Sequence, residues 1–372
     1  MNKLVFANLL HRPLRSVISV FAVAIEVVMI LSIVAVFMGM LHSQNQRTNG
    51  IGADIMLLPS NASLFNGVGG ASMPIADATV LRRLPHVAVV APAIQKLSTN
   101  HNIEVAYGID YDTFNALKPF VFLSGGRFQG PHDAIVDNVF AGERNPATGK
   151  PYAIGDTVQV LDQPFRISGI VEEGKGGRKL IPIETMGALA DAEGKASIFY
   201  IKCDNPANDD LVMEEIHSTR GFGNNTMTTV DSWLHQMTPD KIPGFNLSLS
   251  VVTSIAVIIG FLVILQSMYT AVLERTREIG ILKSLGASKP AIVGMVLRET
   301  GLLAATGVVL GIASTFGVQA LLEAKFPTFA FEITPSWIGY GVLIAFAGSI
   351  CGALYPAWIA ARKDPIDALA YE

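Results

Sequence analysis

Apolar residues are concentrated in four runs of the chain, at 17–41, 251–268, 291–322 and 337–359. An α-helix needs about 17 to 25 apolar residues to cross the hydrocarbon core of a membrane, so each run predicts one membrane span. The first run follows a basic start, as a signal peptide does. It is longer than the roughly 7 to 15 apolar residues of such a peptide, however, and no A-x-A-like cleavage site follows it. We therefore interpret it as the first span.

The chain between the first two runs follows a different pattern. Residues 45–246 are polar and rich in Gly, Pro, Asn and Asp, with short β-type runs separated by turn residues. Strands are predicted at 51–58, 86–91, 103–109, 157–161, 165–171 and 198–201, and helices at 76–84 and 209–220. The sequence thus predicts a membrane protein with four transmembrane α-helices and a large α+β extracytoplasmic domain inserted between the first and second helices.

Two local features of this polar region yield further predictions. The segment 172–179, EEGKGGRK, lacks the G-x-x-x-x-G-K-[ST] spacing of a phosphate-binding loop, so we predict a Gly-rich surface hairpin there. Trp233 and Phe245 precede the second span and are predicted to lie at the outer membrane surface, where amphipathic aromatic rings concentrate.

A charged segment separates the second and third runs. Its apolar residues Ile279, Ile281, Leu282 and Leu285 are predicted to form one stripe of a short amphipathic helix at the membrane surface. Gly286 is predicted to end that helix in the left-handed conformation, with Ser288 capping the next one. The charged residues are Glu274, Arg275, Arg277, Glu278, Lys283 and Lys289. The alternative is a solvated loop whose charges anchor two helix ends, but the apolar residues among the charges favour a docking helix.

Two sequence blocks resemble a known family. The block ERTREIGILKSLGA at 274–287 and the terminus PAWIAARKDPIDAL at 356–369 are similar to the permease subunits of the FtsX/MacB superfamily of ABC transporters. The resemblance covers 247–372 closely. The pieces VAYGIDYDTF, LSGGRF and YAIGDTVQVLDQPFRISGIVE resemble the extracytoplasmic domain of MacB-like permeases. The implied domains are 1–44 with the first span, an extracytoplasmic domain at 45–246, and an FtsX-like domain at 247–372 with a cytoplasmic coupling helix at about 274–286.

The resemblance implies a function for the whole assembly. Permeases of this family act as dimers with two copies of an ABC ATP-binding subunit, and the coupling helix receives the stroke of ATP hydrolysis. We expect Glu274, Arg275, Arg277, Glu278, Lys283 and Gly286 to take part in that coupling. The stroke would export or extract a hydrophobic or amphipathic substrate, such as a lipid-like compound, haem, a drug or a lipoprotein. The alternative is a mechanotransmitter that regulates a periplasmic or cell-wall enzyme, and a periplasmic adaptor or substrate protein is a further candidate partner.

Composition and charge indicate a membrane protein. With 372 residues, 50% hydrophobic content and a mean hydropathy of +0.43, the chain is not an ordinary soluble domain. The net charge of −4 does not suggest a nucleic-acid partner.

The basic residues near the ends of the predicted spans indicate their orientation. One side of the spans carries Lys3, Arg12, Arg15, the 275–289 cluster, Arg362 and Lys363, and the short opposite loop has only Lys325. The positive-inside rule then places both termini and the predicted docking helix in the cytoplasm. The family resemblance implies the inner membrane of a bacterium.

The sequence does not predict catalysis in this chain. It has no Walker motif, so ATP and Mg are expected in the partner ATPase. Its histidines and its two cysteines, Cys203 and Cys351, show no metal-ligand spacing, and no nucleophile-elbow motif occurs.

Glycine pairs in the third and fourth spans predict close helix packing. Gly307 and Gly311 are four residues apart, and so are Gly348 and Gly352. Small residues at this spacing let helix backbones approach closely in lipid, although glycine is also generally common in membrane helices.

Glu26 is the acidic residue of the first span. It lies about ten residues into the span, so at 1.5 Å per residue it is roughly 15 Å deep, near the middle of the bilayer. One interpretation is a neutral Glu hydrogen-bonded to a neighbouring helix. The other is an intramembrane ligand site that includes Met29, in which two copies of Glu26 approach each other across a dimer axis and haem is one candidate substrate.

Overall fold

The computed structural model describes residues 13–60, 62, 72–98, 104–242 and 244–363. The predicted cytoplasmic N-terminus and C-terminal tail lie largely outside these residues. The helices are α1 (Pro13–Ile51), α2 (Asp77–Leu81), α3 (Tyr111–Leu117), α4 (Asn138–Ala141), α5 (Ile183–Leu189), α6 (Asp209–Ser218), α7 (Val230–Gln236), α8 (Phe245–Glu274), α9 (Thr276–Ser284), α10 (Lys289–Lys325) and α11 (Pro335–Arg362). The strands are β1 (Ile55–Leu58), β2 (Met73–Pro74), β3 (Val87–Ser98), β4 (Glu104–Ile109), β5 (Phe122–Gly125), β6 (Asp133–Asp137), β7 (Thr157–Val160), β8 (Gln163–Val171), β9 (Lys179–Pro182), β10 (Lys195–Ala196), β11 (Ile198–Cys203) and β12 (Thr226–Thr229).

The chain divides into two compact units. The helical unit consists of Met1–Met40, Pro243–Ala324 and Ala330–Glu372, and the α/β unit consists of Leu41–Ile242 and Lys325–Phe329. The helix α1 therefore begins in one unit and ends in the other, and the connection between α10 and α11 contributes to both.

Four helices of the described part are long and apolar enough to cross a membrane, as predicted: α1, α8, α10 and α11. Their shared core is built from Val, Leu, Ile and Ala side chains, including Val23, Val27, Ile264, Leu303 and Ala353. Large apolar side chains such as Ile258 and Leu262 stay exposed on α8. In lipid this exposure has no hydrophobic cost, because acyl chains are as apolar as the side chains.

The α/β unit is built on a 10-stranded sheet in the order β12-β1-β11-β3-β4-β9-β6-β8-β5, with β7 also paired to β8. Among the described strand pairs, β4–β9 and β6–β8 are parallel and the others are antiparallel. Aromatic and aliphatic side chains including Phe114, Tyr200 and Trp233 form a core cluster of this unit. The side chains of Asp110, Asp137 and Thr229 cap the N-termini of α3, α4 and α7. These caps satisfy backbone N–H groups that the helices leave unpaired.

The predicted strands all appear with shifted ends, and two other expectations, for residues 172–179 and for Trp233, are wrong. The strand predicted at 51–58 begins only at Ile55, because α1 continues to Ile51 and Gly52 then turns the chain at a φ of +82°. The segment 172–179 is not a surface hairpin: β8 and β9 do not pair, and residues 174–177 between them are buried. Trp233 is not an interfacial residue, because it is 8% exposed within the core of the α/β unit. Phe245 is the first residue of α8 and packs against Phe37 with ring centroids 5.0 Å apart, and its position at the outer membrane surface stays a prediction.

Candidate functional site

The segment between α8 and α10 forms a short helix with one exposed face. The α8 helix ends at Glu274, Arg275 is the junction, and α9 follows from Thr276 to Ser284. Successive helical residues are about 100° apart, which places five exposed residues within one arc of α9 and the residue after it. These are Arg277, Glu278, Ile281, Ser284 and Leu285. Leu285 is 81% exposed and Ile281 is 44% exposed, so the exposed face mixes apolar and charged groups.

The apolar residues of α9 do not form the single stripe that the sequence suggested. Ile279 is 2% exposed and packs into the core of the helical unit, with Leu282 partly buried against it. Ile281 and Leu285 lie on the exposed side instead. The reason is geometric, because Ile279 and Ile281 are about 200° apart on a helix and cannot share a face.

Arg275 and Glu299 form a buried ion pair at the start of α9. The Nη1 atom of Arg275 lies 2.9 Å from Oε2 and 3.1 Å from Oε1 of Glu299, and the two side chains are 8% and 5% exposed. Glu299 is not among the site residues predicted from the sequence. A usable signal was present, because this acidic residue lies inside the predicted third span and is as costly there as Glu26 is in the first.

Lys283, near the C-terminal end of α9, hydrogen-bonds to α11 and the residue after it. Its Nζ donates to the carbonyl of Ala361 at 3.1 Å and to that of Lys363 at 2.5 Å, both at the C-terminal end of α11. A cation at a helix C-terminus is favourable because the last carbonyls have no intrahelical partner. Of the predicted coupling residues, Arg275 and Lys283 therefore face inward, whereas Arg277 and Glu278 face outward and Glu274 is the exposed last residue of α8.

Gly286 ends the segment as the sequence suggested. Its φ is +94°, a left-handed conformation that glycine adopts without steric penalty. The amide N–H groups of Gly286 and Ala287 donate to the carbonyls of Lys283 and Leu282. Ser288 then directly precedes α10, and its carbonyl accepts from Ala291 and Ile292.

Three of the four glycines in the predicted pairs lie at close helix contacts. A methyl group added at Gly307 would lie 2.7 Å from Cβ of Val23, and one at Gly311 would lie 2.8 Å from Cβ of Val27, so both glycines face α1. On α11, a methyl at Gly352 would lie 2.7 Å from the carbonyl oxygen of Phe261 on α8. Gly348 faces the same helix at Val257, with a wider gap of 3.7 Å.

Glu26 lies inside its own helical unit. Its side chain is 3% exposed, and neither carboxyl oxygen has a hydrogen-bond partner among the described residues. A methyl group at Gly260 on α8 would lie 2.0 Å from Oε2, and one at Gly348 on α11 would lie 3.7 Å from Oε1. The carboxyl group thus occupies a slot that two glycines of neighbouring spans leave open.

This placement revises the expectations for Glu26. Two copies facing each other across a dimer axis do not fit a side chain enclosed by its own α8 and α11. The neutral alternative with a hydrogen bond to a neighbouring helix also lacks its partner among the described residues. Met29 is half-buried one turn further along α1. Ser19, two turns earlier, shares a 2.6 Å hydrogen bond with Ser267 on α8.

Comparisons with known proteins relate both parts of the chain to described families. Residues 16–219 match the family described as MacB-like periplasmic core domain, and residues 250–365 match the FtsX-like permease C-terminal family. The macrolide export ATP-binding/permease protein MacB of Nitrobacter winogradskyi is 25% identical over 98% of this chain, which spans 59% of that protein. The uncharacterized ABC transporter permeases YvrN and YknZ of Bacillus subtilis are 23% and 24% identical, with 98% of each protein covered.

Proposed function

This chain belongs to the family of ABC transporter permeases that combine a MacB-like periplasmic core domain with an FtsX-like domain, and from that premise we propose that it is the permease subunit of a mechanically coupled transporter. A separate ATP-binding subunit hydrolyses ATP and holds the nucleotide and Mg. The permease passes the resulting motion through its spans to export or extract a hydrophobic or amphipathic substrate. The α/β unit is then an extracytoplasmic domain between the first and second spans, and both termini lie in the cytoplasm of a bacterium.

The observation that supports the proposal most strongly is that α9 has two different sides, one exposed and one bonded to neighbouring spans. Its outward face presents Ile281 and Leu285 beside Arg277 and Glu278, an apolar centre with charges at its margin. Protein interfaces are commonly built in this way, with buried apolar anchors inside a polar rim. Its inward residues Arg275 and Lys283 bind α10 and α11. A force applied to the outward face is therefore passed to two spans through charged hydrogen bonds.

The assembly in this proposal has four chains. Two copies of the permease form a homodimer, and each α9 receives one ATP-binding subunit. Membrane lipids surround the exposed apolar side chains of the spans, and a periplasmic adaptor or substrate protein engages the α/β unit. The permease supplies no catalytic group to ATP hydrolysis.

Glu26 is the candidate ligand site in this proposal. A buried carboxyl group in a membrane span is costly, and such residues are commonly functional. Its lack of a partner within the described part of the bundle supports a role in contact with a substrate that enters between the spans. A cationic amphiphile or a compound such as haem has the chemistry to contact a carboxyl group in an apolar wall.

Co-purification tests the proposal. The tagged permease, extracted in mild detergent, is expected to carry an ABC ATP-binding subunit at one copy per permease, in particles of two permease chains. Mass spectrometry and absorbance spectra of the same preparation identify bound lipids, pigments and proteins. A permease that runs as a monomer without any ATP-binding subunit would contradict the assembly, and capture of a cell-wall enzyme without a small hydrophobic compound would favour the regulatory alternative.

A further inference from the structure

Arg178 joins two segments of the α/β unit that are far apart in sequence. Its Nη2 atom donates to the carbonyl of Thr328 at 3.1 Å, and its Nη1 atom lies 3.5 Å from Oδ2 of Asp137. Both members of the ion pair are largely buried, at 14% and 4% exposed. The backbone supports the same contact, because the Asp137 N–H donates to the Arg178 carbonyl at 3.0 Å.

Thr328 belongs to the connection between α10 and α11. The last residue of α10 and the first four residues of this connection, Lys325–Phe329, belong to the α/β unit. The Thr328 hydroxyl donates to Oε1 of Glu143, so this short segment is held at its carbonyl by Arg178 and at its side chain by Glu143. Because the segment is covalently continuous with α10 and α11, any displacement of those spans acts directly on these two contacts.

The chain that precedes Arg178 also contacts the last turns of α1. The Gly176 N–H donates to the Arg47 carbonyl at 3.0 Å. A methyl group at Gly50 would lie 1.7 Å from the Gly174 carbonyl oxygen, so no larger residue fits this approach without movement of the backbone.

We propose that Arg178 is a positioning residue for mechanical coupling, which fastens the α10–α11 connection and, through residues 174–177, the end of α1 to the sheet of the α/β unit. This clamp rests on the proposed function, since it names the residues through which the motion of three spans reaches the α/β unit.

The chemistry of the clamp suits a force-bearing contact. The Arg178 guanidinium donates through Nη2 to the Thr328 carbonyl, while Nη1 faces the Asp137 carboxylate at 3.5 Å as an ion pair without a hydrogen bond. Removal of one member of such a pair leaves the other charge buried and unpaired. Burial raises the pKa of Asp137 to about 6, so its carboxylate is ionised at neutral pH and available to Arg178. Asp137 also accepts from Phe140 N at 2.6 Å as the cap of α4, which fixes it to the end of β6.

Hydrogen exchange of the intact permease–ATPase complex tests the clamp. Exchange in the α/β unit, outside residues 170–185, is compared with ADP and with a non-hydrolysable ATP analogue. The wild-type complex is expected to show a nucleotide-dependent difference there. Arg178→Met, which keeps the aliphatic stem, is expected to reduce that difference at least fivefold while ATPase activity stays within about twofold of wild type. Arg178→Lys is expected to be intermediate, because it keeps the charge and loses the fork.

Arg166→Met is the control, because Arg166 forms an ion pair with the buried Asp133, at 3.0 Å, on the same sheet, while its own side chain is 55% exposed. It is expected to keep the wild-type difference. An unchanged difference in Arg178→Met, or an equal loss in both variants, would overturn the clamp. If Arg178→Met does not assemble, the double variant Glu143→Gln with Thr328→Val must lower the signal, and an unchanged signal overturns the clamp equally. No nucleotide-dependent difference in the wild type would overturn the proposed function, and the clamp with it.

Discussion

Arg275 and Glu299 lie in contact across 24 residues of sequence, with Arg275 Nη1 2.9 Å from Glu299 Oε2 in a buried pair. Arg275 is the junction between α8 and α9, and Glu299 lies ten residues into α10. The pair therefore fixes the angle at which α9 leaves the second span. Together with Lys283, it determines which face of α9 is presented outward.

The first prediction concerns this pair. Glu299→Ala leaves the Arg275 guanidinium buried without its partner, which costs about 3 to 5 kcal/mol for such pairs. We expect a lower thermal midpoint in detergent and a loss of permease-dependent ATPase activity. The charge-swapped double variant Arg275→Glu with Glu299→Arg is expected to recover part of both. If the double variant loses as much thermal stability and ATPase activity as the two single variants lose together, the two residues are not energetically coupled.

The second prediction separates packing glycines from freely exposed ones on the same helix. Gly311→Ala places a methyl group 2.8 Å from Cβ of Val27, whereas an added methyl at Gly317 meets nothing within 4 Å. Overpacking of a close contact costs roughly 1 to 3 kcal/mol. We expect Gly311→Ala to lower the thermal midpoint and Gly317→Ala to leave it unchanged or raise it. Equal midpoints for the two variants would contradict the close approach of α10 to α1.

The sequence predicts those features of the fold that depend on residues close together in the chain. The four spans and the turn at Gly286 were predicted because apolar length and a left-handed glycine are local properties. The Arg275–Glu299 pair and the parallel β4–β9 contact join residues that are distant in sequence, and no periodicity reports them. The expected hairpin at 172–179 is wrong for a related reason. Gly174 and Gly176 do adopt positive φ values, but they serve a close approach to α1 rather than a turn between paired strands.

The third prediction concerns Glu26. Glu26→Gln keeps the size of the side chain and removes its ability to ionise. We expect it to lower substrate-stimulated ATPase activity or the retention of a co-purified hydrophobic compound, with unchanged expression and dimerisation. Gly260→Ala is expected to have a similar effect, because its methyl group would lie 2.0 Å from Glu26 Oε2 and displace the carboxyl group.

Gly301→Ala on α10 is the control for Gly260→Ala, since an added methyl there meets nothing within 4 Å. Wild-type function and thermal stability in Glu26→Gln would assign the carboxyl group to packing alone.

The fourth prediction concerns orientation. In a background without Cys203 and Cys351, a cysteine at Asn224 on the surface of the α/β unit should react with a membrane-impermeant thiol reagent in cells whose outer membrane, if present, has been opened. A cysteine at Ser284 on the outward face of α9 should react only after the inner membrane is permeabilised. Reaction of Ser284→Cys in intact cells would reverse the proposed topology.

The outward face of α9 is the proposed docking surface for the ATP-binding subunit, and Leu285 is its most exposed apolar residue, at 81%. Leu285→Asp changes no contact of the protein core and places a charge where an apolar anchor is proposed. The matched control is Leu211→Asp on α6 of the α/β unit, where the leucine is 55% exposed.

The most direct measurement is the amount of ATP-binding subunit that co-purifies with the tagged permease for these two variants. We expect at least a tenfold loss for Leu285→Asp, at wild-type levels of permease in the membrane, and no loss for Leu211→Asp. Equal, undiminished recovery of the ATP-binding subunit with both variants would contradict the claim that α9 is the coupling helix.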